Sequence, residues 1–191
     1  MIEIIAALCG FIQSILILFG RKENWIFYIL NITFLIIFSF QNKLYGDVLE
    51  NSIYLLVGLF GLLSWYLKYT SPLFSKFIQM KYSSKKEIPF FILSIALIST
   101  ITYFYLIRTN DPFPLLDSIT TGMGLVATLM MALKRIDAWV VWLIDDILMA
   151  IVYFMLPSEG LYLMILNILW IFLAIGSWWN WHRIWREEKA V

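Results

Sequence analysis

The sequence predicts an all-α integral membrane protein: seven transmembrane helices, arranged as two parallel three-helix-bundle repeats with a linker helix between them. Three observations predict it. Of the 191 residues, 62% are hydrophobic and 14% charged, with a mean hydropathy of +0.84. A soluble domain carries about 25% charged residues and is at most half apolar. A helical span takes about 20 apolar residues, so seven spans use roughly 140 and leave only short loops. The beginning and end of the chain also match one another at a shift of 114 residues. The composition excludes a water-soluble globule, a disordered chain, a nucleic-acid binder and a secreted disulfide scaffold. Cys9 has no internal partner, and a single histidine leaves no imidazole metal site.

The apolar segments fall at 2–19, 25–40, 48–67, 89–107, 115–133, 139–156 and 161–179. The first lacks a basic leader and a small-residue cleavage site, so it is expected to stay as the first helix. The second and third are separated only by the turn around Lys43, and a long basic stretch follows the third. The fourth supplies little polar chemistry beyond Ser94, Ser99, Thr100 and Thr102, as suits a linker. The last three are closed off by Lys134-Arg135, Pro157 and the basic tail. Pro72, Pro89, Pro112, Pro114 and Pro157 all sit at or between span ends, where a missing amide is tolerated. The expected units are a first repeat at 1–68, a basic loop plus linker helix at 69–113, and a second repeat with a short tail at 114–191.

Charge orients the spans. Lys43 and Arg108 fall on one side, and the other 12 of the 14 basic residues on the opposite side. The positive-inside rule places the rich side in the cytoplasm, with the N-terminus outside and the C-terminus inside a cytoplasmic (inner) membrane. The lysines from Lys76 to Lys86 are expected to meet anionic headgroups.

An ungapped comparison of residue i with i+114 over positions 1–46 gives seven identities, among them Gly10/Gly124, Arg21/Arg135, Trp25/Trp139 and Gly46/Gly160. Glu3/Asp117, Tyr28/Trp142 and Asn31/Asp145 are chemically alike. A shift of four spans keeps direction, so the halves are parallel repeats, an arrangement that places a substrate site between them.

The sharpest chemistry is Trp139-x-x-Trp142-x-x-Asp145-Asp146 in the sixth span. At 100° per residue, Trp139, Trp142, Asp146, Met149 and Tyr153 share a stripe about 80° wide, with Asp145 at its edge. An intramembrane carboxylate costs about 2.5–3.5 kcal/mol on insertion scales, so it faces a bundle interior or an aqueous cavity. Here it offers hydrogen-bond acceptors beside an aromatic wall; the structural alternative is an acceptor satisfied by nearby Ser, Thr or Asn. The first repeat has Trp25-x-x-Tyr28-x-x-Asn31 at the same spacing. Gln13, Asn51, Ser64, Thr120, Thr121, Thr128 and Asn167 are further polar residues within spans, either lining a cavity or joining helices. Trp25, Trp65, Trp139, Trp178, Trp179, Trp181 and Trp185 are expected as an interfacial aromatic belt, with His182 among them, while Trp142 and Trp170 lie deeper. No enzyme signature is present, and Asp145-Asp146 has no second acidic cluster to complete a metal site.

Taken together, Lys134-Arg135, Trp139, Trp142, Asp146, Tyr153 and Gly160-Leu161-Tyr162 form one half of a resemblance. Trp25, Leu44-Tyr45-x-Asp47, Tyr54 and Gly61-x-x-x-Trp65 form the other. The chain resembles the Pnu-type bacterial vitamin transporters, a family typified by nicotinamide riboside carriers, over essentially its whole length. That resemblance implies a 3+1+3 fold related to SWEET sugar transporters, a homotrimer, and no cofactor. It also implies facilitated diffusion of an unphosphorylated vitamin or nucleoside, trapped afterwards by a cytosolic kinase. It assigns substrate contacts to Trp139 and Trp142. The family's glutamine three residues before the span-3 tyrosine is Asn51 here, before Tyr54, which leaves nicotinamide riboside, thiamine, riboflavin or a deoxyribonucleoside as substrate. The second half also departs from Gly-x-x-x-Trp, reading Gly176-Ser-Trp-Trp-Asn-Trp181. The candidate site is Trp139, Trp142, Asp145, Asp146, Asn31, Asn51, Tyr54, Tyr28, Thr121 and Asn167. A uniporter leads; a proton-coupled carrier using Asp145 or Asp146, and a membrane-embedded enzyme or sensor, are the alternatives.

Overall fold

A computed structural model describes residues 2–109, 111–155 and 160–190. Among the described residues the chain forms eight α-helices and no strand. They are α1 (Ile2–Leu18), α2 (Asn24–Gln41), α3 (Tyr45–Leu67), α4 (Pro72–Phe77), α5 (Glu87–Leu106), α6 (Pro114–Ala132), α7 (Ala138–Met155) and α8 (Gly160–Ala190). Six of them (α2, α3, α5, α6, α7 and α8) are long and apolar enough to cross a membrane, and α1 is a shorter apolar helix. All seven expected segments are therefore helical. Pro157 and the side chains of Glu3, Tyr45, Leu161 and Tyr162 lie outside the described residues.

α8 differs from expectation. Its 31 residues span about 46 Å against a hydrocarbon core of about 30 Å, so Arg183, Arg186 and Lys189 ride on a continuing helix instead of a loose tail. The basic stretch after α3 also has more structure than its composition suggested. It contains α4, buries Ile78 and Met80, and docks on the α6–α7 turn. There the Lys81 amide donates to the Lys134 carbonyl (3.2 Å), and the Ile136 amide donates back to Lys81 (3.0 Å). The Ser83 amide donates to Asp137 Oδ1 (2.9 Å). Arg135 is 2% exposed and pairs with Glu87 at 2.6 Å.

Each helix packs on its neighbours in the order α1–α2–α3 and α6–α7–α8. The two sets meet where α3 touches α6 and α1 touches α8, and α5 lies against α6. α6 is the most enclosed helix, buried continuously from Gly122 to Thr128. α5 exposes Phe90, Ile92, Leu93, Leu97, Ile101 and Phe104, an apolar face suited to lipid.

The turns after α1 and α6 are built alike. Gly20 (φ 65°) and Lys134 (φ 56°) both take the left-handed conformation that closes a helix. Gly20 N bonds Ile17 O and Arg21 N bonds Leu16 O; Lys134 N bonds Met131 O and Arg135 N bonds Met130 O. Every one of those atoms is displaced by 114 residues.

Four tryptophans assigned by sequence to an interfacial belt are instead interior. Trp25, Trp65, Trp139 and Trp181 are all buried. Trp25 meets Trp65 edge-on at 5.8 Å, and Trp139 meets Trp181 edge-on at 5.4 Å. Gly61 makes the first contact possible, because a Cβ there would lie 2.6 Å from the Trp25 ring. Trp65 Nε1 donates to Ala132 O across to α6, and Trp181 Nε1 donates to Ile17 O across to α1, both at 2.8 Å. These bonds satisfy the buried indole N–H groups of Trp65 and Trp181, whereas Nε1 of the likewise buried Trp25 and Trp139 has no protein partner. The four rings thus tie the two helix triplets together at the end carrying the basic turns. Trp178, Trp179 and Trp185 remain at or near the surface, and His182 stacks against Trp178 while its Nδ1 meets the Tyr82 hydroxyl at 3.0 Å.

Candidate functional site

Above the tryptophan floor, between the two triplets, lies a cavity of about 410 Å³. Pockets of about 300–1,000 Å³ are the usual size for small ligands. The amphipathic spacing of each helix decides what it contributes. α7 turns Trp139, Trp142, Asp145 and Asp146 inward along successive turns, and α3 presents Asn51 and Tyr54 one turn apart. Asn167 and Trp170 do the same on α8, while α2 adds Tyr28 and Ile32, and α1 adds Gln13, Ser14 and Ile17.

The lining falls into pairs. Ser14 and Thr128, Ile17 and Met131, Tyr28 and Trp142, and Ile32 and Asp146 are each separated by 114 residues. Asn51 and Asn167, like Tyr54 and Trp170, are separated by 116. Trp65 and Trp181 share that second spacing, which places Ser177 where the first half has Gly61. The irregular Gly176–Trp181 stretch is therefore a regular one displaced by two residues. An ungapped comparison loses the third helix at that point.

Eight of the ten sequence-selected residues line this cavity: Tyr28, Asn51, Tyr54, Trp139, Trp142, Asp145, Asp146 and Asn167. The other two lie elsewhere. Asn31 Nδ2 donates to the Ala6 carbonyl at 2.8 Å, joining α2 to α1. Thr121 lines a second space described below. Trp170 and Ser14 also line the cavity, outside the residues that the sequence motifs single out. The pairing of Asn51-x-x-Tyr54 with Asn167-x-x-Trp170 was the available signal for Trp170.

Several polar atoms at the cavity lack protein partners. Asp145 is 6% exposed and its Oδ1 accepts no hydrogen bond; the indole Nε1 atoms of Trp139 and Trp142 donate none. Unsatisfied buried donors and acceptors on one wall mark where a ligand makes bonds the protein does not. Asn51 Nδ2 gives one of its two N–H groups to the Asp47 carbonyl (2.8 Å), leaving the other as a donor and the amide oxygen as an acceptor. Among the described lining residues there is no lysine or arginine.

A nicotinamide riboside transporter PnuC from Neisseria mucosa is 20% identical over 194 residues, covering 97% of this chain and 73% of the relative. The crystal structure of a vitamin B3 transporter PnuC superposes with a TM-score of 0.70 at 16% identity, over 97% of this chain and 82% of that one. That likeness establishes a shared fold. The profile of the nicotinamide mononucleotide transporter family matches residues 1–183. Nearly the whole chain, both helix triplets and the cavity between them, fall within that match, and the chain belongs to the nicotinamide mononucleotide transporter family of membrane transporters.

Proposed function

We propose that the cavity carries nicotinamide riboside, or a closely related unphosphorylated vitamin, across the cytoplasmic membrane by facilitated diffusion. The observation that carries this is the paired lining: aromatic rings at Tyr28, Trp142, Tyr54 and Trp170, with Asn51, Asn167, Asp145 and Asp146 between them. A flat pyridinium ring suits the indoles, where a desolvated cation–π contact is worth about 2 kcal/mol. Ribose hydroxyls suit the carboxylates and amides. Two carboxylates and no basic residue in the described lining make a poor host for a phosphate dianion, which supports the riboside over its mononucleotide.

The architecture in this proposal is 3+1+3, α1–α3 and α6–α8 as parallel repeats with α5 as linker, as in SWEET-like carriers. The identical turns at Gly20 and Lys134, and the crossed indole bonds of Trp65 and Trp181, support it. The basic α6–α7 turn and the α8 extension face the cytoplasm by the positive-inside rule, with the N-terminus outside. Assembly as a homotrimer, and trapping of the product by a cytosolic kinase, complete the proposal.

Proteoliposomes containing the purified protein test it. Labelled nicotinamide riboside equilibrates without ATP or an ion gradient, and is recovered unmodified. Failure to accumulate label above empty vesicles, while thiamine, riboflavin or a deoxyribonucleoside enters, reassigns the substrate. The unpartnered Oδ1 of Asp145 favours one second reading, proton-coupled uptake. Stimulation by an inward proton gradient would establish coupling, and indifference to it would remove it.

A further inference from the structure

Besides the cavity, the structure contains a larger cleft of about 740 Å³ between α3, α5, α6 and α7. It lies at the end opposite the tryptophan floor, where α3 and α6 begin and α5 ends. Its lining carries five carboxylates: Asp47 and Glu50 from α3, Asp111 and Asp117 from α6 and the loop before it, and Asp145 from α7. No lysine or arginine lines it among the described residues, and no ion pair there neutralises any of the five. Nor are these carboxylates gathered closely enough to hold a metal ion, among the described residues. The remaining lining is apolar or hydroxylic, including Ile53, Ile98, Ile101, Tyr105 and Thr121.

The cleft and the central cavity share two residues, Tyr54 and Asp145. Asp145 is more than nine-tenths buried, and its Oδ1 has no protein partner. An unpartnered buried carboxylate thus stands at the boundary between an acidic cleft and an aromatic cavity. From this geometry we propose that the cleft is an access site for organic cations, passing them by way of Asp145 to the indoles of the central cavity.

The physics is electrostatic focusing. Like-signed charges lining a low-dielectric cleft concentrate a counter-ion and raise its encounter rate. Apolar walls between the carboxylates suit an aromatic cation better than a hydrated metal ion. The inference rests on the transport reading above and narrows it. Nicotinamide riboside and thiamine carry fixed positive charges, whereas riboflavin and deoxyribonucleosides are neutral.

Two measurements test it. Initial uptake of nicotinamide riboside is compared with that of its uncharged dihydro form, in wild-type protein and in Glu50→Gln and Asp117→Asn. Each variant is expected to lower the cation-to-neutral ratio about threefold or more, and raising salt from about 10 to about 500 mM lowers that ratio more in wild type than in either variant. Equal loss of both compounds in the variants, or an unchanged ratio, overturns the proposal. Tryptophan-fluorescence titration with nicotinamide riboside, thiamine, riboflavin and thymidine separates the two levels of argument. A response to thiamine without nicotinamide riboside refutes the riboside reading and upholds cation selection. Response only to the neutral pair, or to none of the four, overturns cation selection itself.

Discussion

α2 and α7 carry the same spacing of residues to different ends. In α7, Trp139, Trp142 and Asp145 line the cavity, and Asp145 keeps an oxygen unbonded. In α2, Trp25 is packed under Gly61, Tyr28 reaches the cavity, and Asn31 is used to join two helices through Ala6. The turns that precede them diverge in the same way. Arg21 pairs on the surface with Glu23, whereas Arg135 is buried and pins the loop between α4 and α5 through Glu87. The chemistry explains the split. An amide always carries N–H groups that it can give to a backbone carbonyl, becoming an interhelical joint, whereas a carboxyl group's oxygens serve foremost as acceptors. Positions at the same spacing in α2 and α7 thus differ in whether the side chain joins helices or faces the cavity.

This contrast can be broken by paired substitutions. The largest expected effect is on stability. Arg135→Ala leaves Glu87 without its partner and frees the loop, costing about 3 kcal/mol, while Arg21→Ala at an exposed pair costs about 0.5 kcal/mol or less. Thermal unfolding in detergent, followed by light scattering, compares them, and equal shifts would erase the distinction. Next comes transport. Asp145→Asn replaces one of the carboxyl oxygens with an amide donor, at a cost of about 1.5 kcal/mol in ligand bonding, lowering initial uptake of nicotinamide riboside about tenfold with little change in unfolding temperature.

The third prediction concerns the left-handed turn position, glycine in one half and lysine in the other. Burial pushes the Lys134 amine down to about 8 from 10.5, although it lies 4.0 Å from the centre of the Trp65 ring. Between those pH values the unfolded chain holds more protons than the folded one, so stability rises as pH climbs from about 8 towards 10.5. The expected gain is about 1–3 kcal/mol, and Lys134→Gly, which matches Gly20, should abolish that slope in unfolding scans across the interval. The last and mildest test of the cavity contrast is Asn31→Ala, comparable in size to Arg21→Ala. Losing the bond to Ala6 costs about 0.6 kcal/mol in a membrane bundle, and uptake kinetics stay within about twofold of wild type.

Much of this was legible in the sequence, for identifiable reasons. Hydropathy located the seven long helices because a bilayer demands long apolar runs, and the basic turns stood out against them; the six-residue α4 gave no such signal. The motif Trp139-x-x-Trp142-x-x-Asp145 was readable because a buried carboxylate is costly unless it has a use. What was not legible depended on partners distant in sequence. Composition gives no hint that Trp65 bonds Ala132, or Trp181 bonds Ile17, so it predicts an interfacial aromatic belt where the rings in fact pack inside the helix bundle. Asn31 and Asp145 are indistinguishable by register; only Ala6, on another helix, separates them. The displacement of two residues in the third helix hid Trp170, because an ungapped match carries on into the wrong register. The acidic cleft escaped notice because its carboxylates are scattered over three helices and a loop and meet only on folding.

The central claim is that the α7 aromatic wall holds the substrate. Calorimetric titration of nicotinamide riboside into purified Trp142→Ala, beside wild type, tests it most directly. Removing the ring is expected to weaken binding about 30-fold, the equivalent of about 2 kcal/mol, with the unfolding temperature nearly unchanged. Binding by Trp142→Ala as tight as wild type would contradict the account.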